Sequence, residues 1–223
     1  MAHFTQDFID FFTELAENNH KEWFDINRKR YEKSVKEPFK AFVNEIISRV
    51  NEDDPEVRIE AKDAIFRINR DIRFAKDKTP YKTSVSAIVS RGGRKDKTSP
   101  GLYFELKPAS VRVYGGAHQL EKDQLQDVRE FIVSNMDEFN GALQDNGFKK
   151  RFETVRGEQN KRIPVEFREV VETQPLIANK AFYYYCDIDP KLITSDKLVD
   201  EVMAAYNDSK PMMGFLKDAM GID

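Results

Sequence analysis

Within the seventeen positions from Arg67 to Thr83 stand Arg67, Arg70, Arg73, Lys76, Lys78 and Lys82, with only Asp71 and Asp77 to offset them. The local net charge of +4 sits in a chain whose formal total is -3, so bulk charge gives no reason for it. Arginine holds a carboxylate or phosphate in a planar two-point grip, and lysine adds a compact positive charge. Pro80 stiffens the segment's end, and Phe74 and Tyr81 supply rings. The chemistry that this pattern offers is anion recognition, with Asp71 and Asp77 orienting the arginines or acting as acids or bases if desolvated. The competing expectation is a solvated ion-pair network in which the two aspartates are simply consumed by the bases.

Alternation along an extended backbone puts Arg67, Asp71 and Arg73 on one face and Arg70 on the other. The charges therefore converge only if the chain bends before Pro80. Two further candidates adjoin the cluster in this reading. Trp23, Asn27 and Arg28 lie on a helical pattern and form one wall of a pocket, although Trp23, Asn27 and Tyr31 at four-residue steps also describe a core stripe with Arg28 paired to Glu32 outside it. Gly115, next to Gly116, could let a ligand approach the backbone, or the pair could serve a turn needing positive φ.

Other chemistries are poorly supplied. The Gly92-Gly93 loop lacks the spacing of a phosphate-binding loop, and the basic residues Arg91, Arg94, Lys95 and Lys97 either extend the positive patch or decorate a hairpin. His3, His20 and His118 have no partners at metal-ligand spacing, so no metal is expected. No Gly-x-Ser-x-Gly elbow occurs, and Cys186, the one cysteine, lies in an apolar run. No complete catalytic signature appears, and neither a cofactor nor an oligomeric state follows from the sequence.

The elements that must position the cluster are readable from hydrophobic period. Phe8, Ile9, Phe11, Phe12 and Leu15 predict a first helix after Thr5, a second pattern begins near His20, and Pro38 opens a third through Phe39, Phe42, Val43, Ile46, Ile47 and Val50. From about Ala64 the period changes, and residues alternate in twos: Val85, Ala87 and Val89, then Leu102, Phe104 and Leu106, then Val111 and Val113. A long basic loop joins the first pair of strands and Pro108-Ala109 the second. Residues 121–139 return to helix, a mixed region runs to Thr173, Phe182 to Ile188 reads as a late strand, and residues 195–207 form a last helical pattern. The expected fold is α+β: N-terminal helices, a central antiparallel meander, further helices and one late strand, in a single domain spanning 1–223.

With 40% hydrophobic and 34% charged residues and a mean hydropathy of -0.65, the 223-residue chain reads as soluble and globular. No segment is long and apolar enough to span a membrane, no secretory signal opens the chain, and a cytoplasmic location is the default expectation. The acidic total disfavours a nucleic-acid partner relative to a small phosphorylated or carboxylate ligand, with an acidic protein surface as the remaining alternative.

Two stretches, Glu17-Asn18-Asn19-His20-Lys21-Glu22-Trp23-Phe24-Asp25-Ile26-Asn27-Arg28 and Arg70-Asp71-Ile72-Arg73-Phe74-Ala75-Lys76-Asp77-Lys78-Thr79-Pro80-Tyr81-Lys82-Thr83, resemble the family catalogued as domain of unknown function 2461. The similarity extends through Arg91-Gly92-Gly93-Arg94-Lys95, Pro100-Gly101-Leu102-Tyr103 and Gly115-Gly116. It implies a single domain found in bacteria and fungi, and no established activity. Where that family tends to continue Lys-Gly-Phe after the Ile163-Pro164 position, this chain has Val165-Glu166-Phe167.

Overall fold

The computed structural model describes residues 1–96 and 98–222. Its helices and strands follow the periods in the sequence. Helix α1 (Gln6–Glu17) buries Phe8, Phe11, Phe12 and Leu15, the i, i+3, i+4, i+7 stripe of one helix face. After α2 (Lys21–Ile26) and α3 (Arg28–Tyr31) the chain makes one π-helical turn over Glu32–Lys36 and enters α4 (Glu37–Asp53). Pro38 stands in the first turn of α4, and the wider turn directly before it accommodates the hydrogen bond that its missing N–H cannot make. A short helix, α5 (Ala61–Ala64), is closed by a reciprocal cap between Glu60 and Asp63.

Strands β1 (Val85–Val89), β2 (Leu102–Lys107) and β3 (Ser110–Ala117) form the meander, and β4 (Phe182–Ile188) adds to the outer side of β3. The four make one antiparallel sheet in the order β1-β2-β3-β4. Between β3 and β4 run α6 (Lys122–Ser134), α7 (Met136–Gln144), α8 (Asn146–Phe152) and α9 (Val170–Thr173), and α10 (Leu198–Ala219) follows β4. Helix α8 falls in the stretch read from the sequence as mixed. Helix α10 is longer than the pattern over 195–207: it continues through Pro211, because Met212, Met213, Phe215 and Leu216 prolong the buried stripe beyond the proline.

By contact the chain divides into two compact units, neither of them one continuous stretch. The first comprises residues 1–94, 103–113 and 187–203, and the second residues 95–102, 114–186 and 204–223. In the first, Phe39 and Phe42 of α4 meet Phe104 of β2 edge-on, with ring centroids 6.2 and 5.5 Å apart, and Phe4 and Phe8 close the cluster. In the second, Tyr184 lies between Phe148 and Phe152 at 5.0 and 4.9 Å, and Phe131 and Phe139 flank Phe215. Arg129, 3% exposed, is held there by the carbonyls of Ile177 and Asn179 at 2.9 and 3.0 Å. Among the described residues no helix is long and apolar enough to cross a membrane.

Candidate functional site

The basic cluster is built on a two-stranded ribbon outside the named strands, all within the first unit. Ile65 bridges Ala87 and Asn69 bridges Tyr81 in antiparallel fashion. The ladder between them is carried by Phe66 N–H to the Ser86 carbonyl (3.0 Å), Lys82 N–H to Ile68 (2.8 Å) and Arg70 N–H to Pro80 (2.9 Å). Alternation is obeyed: Ile68 is buried, Arg67 and Asn69 are exposed, and Arg70 is half-buried on the side of Ile68. The chain then bends at Arg73 and Phe74, so the turn required before Pro80 is present.

Several charges are spent on holding this turn. Arg70 donates to the carboxylate of Asp77 and to the hydroxyl of Thr79, and Asp77 accepts the Thr79 N–H at 2.9 Å. Those bonds, the Thr79 N–H first and Arg70 second, pull the Asp77 carboxyl down to about 2. Arg73 grips Asp71 at two points, 3.0 and 2.7 Å, and Lys78 donates to the carbonyl of Ile72 at 2.8 Å. Asp71, Arg73 and Lys78 are exposed, so these contacts shape the loop more than they stabilise the fold. At the tip Phe74 is 94% exposed, with the Arg73 guanidinium 5.9 Å from its ring.

Three cations are left outside this bracing. Arg67 and Lys76 are exposed and have no ion-pair partner among the described residues. Lys82 is half-buried, its ammonium 5.5 Å from the centroid of Phe66, and Phe66 in turn meets Tyr103 at 5.9 Å. Burial pushes the Lys82 pKa down and the positive charge of Arg67 pushes the same way, against the attraction of Glu105. Glu105 is itself engaged, accepting from the buried Ser84 hydroxyl at 2.8 Å and pairing with Lys107 at 2.8 Å. Phe66, Ser84, Glu105 and Lys107 were no part of the site expected from sequence. Only the register of the 65–70 ribbon and of β2 brings them to Lys82, although Tyr103, Glu105 and Lys107 are the outward members of an alternating strand.

The remaining candidates separate. Tyr81 is buried, stacked on Phe24 at 4.1 Å, and its backbone is clamped at both ends by the Asn19 amide, which donates to its carbonyl (2.9 Å) and accepts from its N–H (3.1 Å). Trp23 faces Phe11 at 5.5 Å, and Asn27 donates to the Trp23 carbonyl at 3.0 Å. Arg28 pairs with Asp25 at 2.5 Å, not with Glu32, because one helical turn back is nearer at the junction of α2 and α3. It also stands 5.5 Å over Phe24, the ring that stacks on Tyr81 at the end of the ribbon. Gly115 belongs to the second unit, where a Cβ would stand 2.5 Å from the ring of Tyr184; Gly116 beside it has φ +88°. Packing accounts for both glycines without a ligand.

Of the basic loop after β1, Arg91 pairs with Asp54 at 3.2 Å and Arg94 donates to the carbonyls of Lys62 and Ile65. Lys95 is exposed and belongs to the second unit, and Lys97 lies outside the described residues. A cleft of about 410 Å³ in the first unit is lined by Glu45, Arg49, Asp196, Lys197 and Asp200, and one of about 350 Å³ in the second follows residues 133–138. Neither includes the cluster, which is an open, half-buried face.

The family of conserved hypothetical proteins with domain of unknown function 2461 (DUF2461) matches residues 7–215. The chain belongs to this family. No curated protein and no solved structure matches it. In this DUF2461 chain the two stretches that carry the resemblance are in contact: Asn19 and Phe24 of the first hold Tyr81 of the second. The helical stretch therefore positions the basic one.

Proposed function

We propose that this DUF2461 protein binds a small phosphorylated or carboxylate ligand on the face formed by Arg67, Lys82 and the outward side of β2. The observation that carries the reading is the half-buried Lys82 ammonium, set on Phe66 with a like-charged neighbour in Arg67 that has no ion pair among the described residues. Like charges held near one another in a partly desolvated place are a source of positive potential that an anion relieves. Phe66 and Tyr103 supply flat apolar surface for the rest of the ligand. Calorimetric titration with pyrophosphate and with citrate tests it. Binding is expected to weaken roughly tenfold in Lys82→Gln and in Arg67→Gln, the loss of one charge-assisted contact, and to persist in Arg73→Gln, whose guanidinium serves Asp71. Titrations that are flat, or equal in all variants, sink the reading.

A second reading rests on Phe74. A braced loop that keeps an aromatic ring 94% exposed between Arg73 and Lys76 suits an acidic partner protein with an apolar recess. Partners retained from a lysate are expected to be lost in Phe74→Ser and in Lys76→Glu. Identical retained sets count against it.

A further inference from the structure

The outward face of the second unit departs from what a solvent-facing sheet side ordinarily carries. Strand β4 alternates strictly, with Phe182, Tyr184 and Cys186 buried and Tyr183 and Tyr185 half-exposed on the other side. Tyr185 meets Tyr114 of β3 at 5.4 Å, and Tyr183 meets the exposed His118 at 5.3 Å. Residues 156–160 run beside β4 as an irregular outer ribbon: Arg156 bridges Tyr183, with N–H to carbonyl distances of 2.6 and 3.1 Å, and Gln159 bridges Asn179. That pairing lays the Arg156 guanidinium over Tyr185, 4.7 Å from its centroid. Three tyrosines, a histidine and a stacked arginine thus share one flat face. The inner side of the strand already fills the core through Tyr184, so the outer rings are not needed there.

We infer that this face binds single-stranded nucleic acid by stacking bases on Tyr183, Tyr185 and His118. Its residues and its unit are distinct from those of the anion site above. Two features select the occupant. The segment 149–162 that supplies the outer ribbon holds six basic and two acidic residues, with Lys149 and Lys150 before the ribbon and Lys161 and Arg162 after it, all four exposed. A net positive segment that pairs alongside a ring-bearing strand matches a strand with phosphates along its length. Tyr183 and Tyr185 are two residues apart on one strand, about 6.6 Å, so a base on Tyr183 and one beside the Arg156-covered ring of Tyr185 need not share a place. A duplex keeps its base faces hidden, and a single nucleotide would use only part of the face.

Fluorescence anisotropy of the full chain with labelled single strands of about 10 nucleotides, as DNA and as RNA, tests the assignment at low and raised salt. Salt-sensitive binding is expected, with the duplex of the same sequence bound more weakly. Tyr183→Ala is expected to weaken binding roughly tenfold, Tyr183→Phe to leave it unchanged, and Arg156→Gln to lower both affinity and salt slope. His118→Ala, at an exposed ring, provides the loss of stacking without risk to folding. Overturning results are no salt-sensitive binding, equal binding of duplex, indifference to His118→Ala together with Tyr183→Ala, competition by AMP at the strand's own affinity, or a loss that follows Lys82→Gln and not the ring variants.

Discussion

At the scale of single residues, the cluster sorts into charges that shape the loop and charges that stand outside its bracing. Asp77 shows the first kind. Its carboxyl is held near 2, below the ordinary 3.8, so its bonds to Thr79 and Arg70 are fully present above the ordinary value and are lost as pH falls toward 2. Amide protection across residues 71–79, taken relative to the intrinsic exchange rate at each pH, should therefore fall between about pH 4 and pH 2, with the protection of core amides unchanged, and Asp77→Asn should show the low protection already at neutral pH. Lys82 shows the second kind. Its depressed pKa means that the fold disfavours its charge, a cost present at neutral pH and gone above the unfolded value of about 10.4. Lys82→Met, which keeps the stem on Phe66, should raise stability at pH 7, because it removes a charge that burial disfavours. The gain should fade toward pH 11 in thermal melts, while anion binding falls. Gly115→Ala acts by crowding: a Cβ 2.5 Å from the Tyr184 ring should cost about 1–3 kcal/mol in denaturant unfolding.

At the scale of elements, the ribbon 65–83 depends on a partner from far along the chain. Asn19 satisfies both polar groups of the Tyr81 peptide, and Asn19→Ala leaves them without a side-chain partner. The expected loss is about 1–2 kcal/mol in urea unfolding, with faster exchange of the Lys82 and Arg70 amides. This is also where legibility in the sequence ended. β2 was plain because Leu102, Phe104 and Leu106 alternate without interruption, and α1 and α4 because their stripes run for three turns or more. The pairing of 65–70 with 80–87 was hidden, since charged residues occupy the positions whose alternation would announce a strand. Helix α8 offers only Phe148 and Phe152, too few apolar positions to establish a period. Glu105 and Ser84 could not be joined to Lys82 because register between strands is not a local property. The tyrosines of β4 were visible, but which of them face outward follows only once Tyr184 is known to fill the core.

At the scale of the whole molecule, β1, β2 and β3 are neighbours in sequence and in the sheet, whereas β4 reaches β3 only after residues 118–181. Closing that long connection carries an entropy that the two hairpin-like connections before it largely escape. Pulse-labelled exchange during refolding should show the amides of β2 and β3 that face each other protected before those of β4; simultaneous protection would contradict this order. During synthesis the same topology leaves the outer edge of β3 as a bare row of backbone donors and acceptors until Phe182–Ile188 has emerged from the ribosome. The late strand is then a lid on a temporary adhesive edge, and the interval before it arrives is when the growing chain is most open to pairing with another copy of itself.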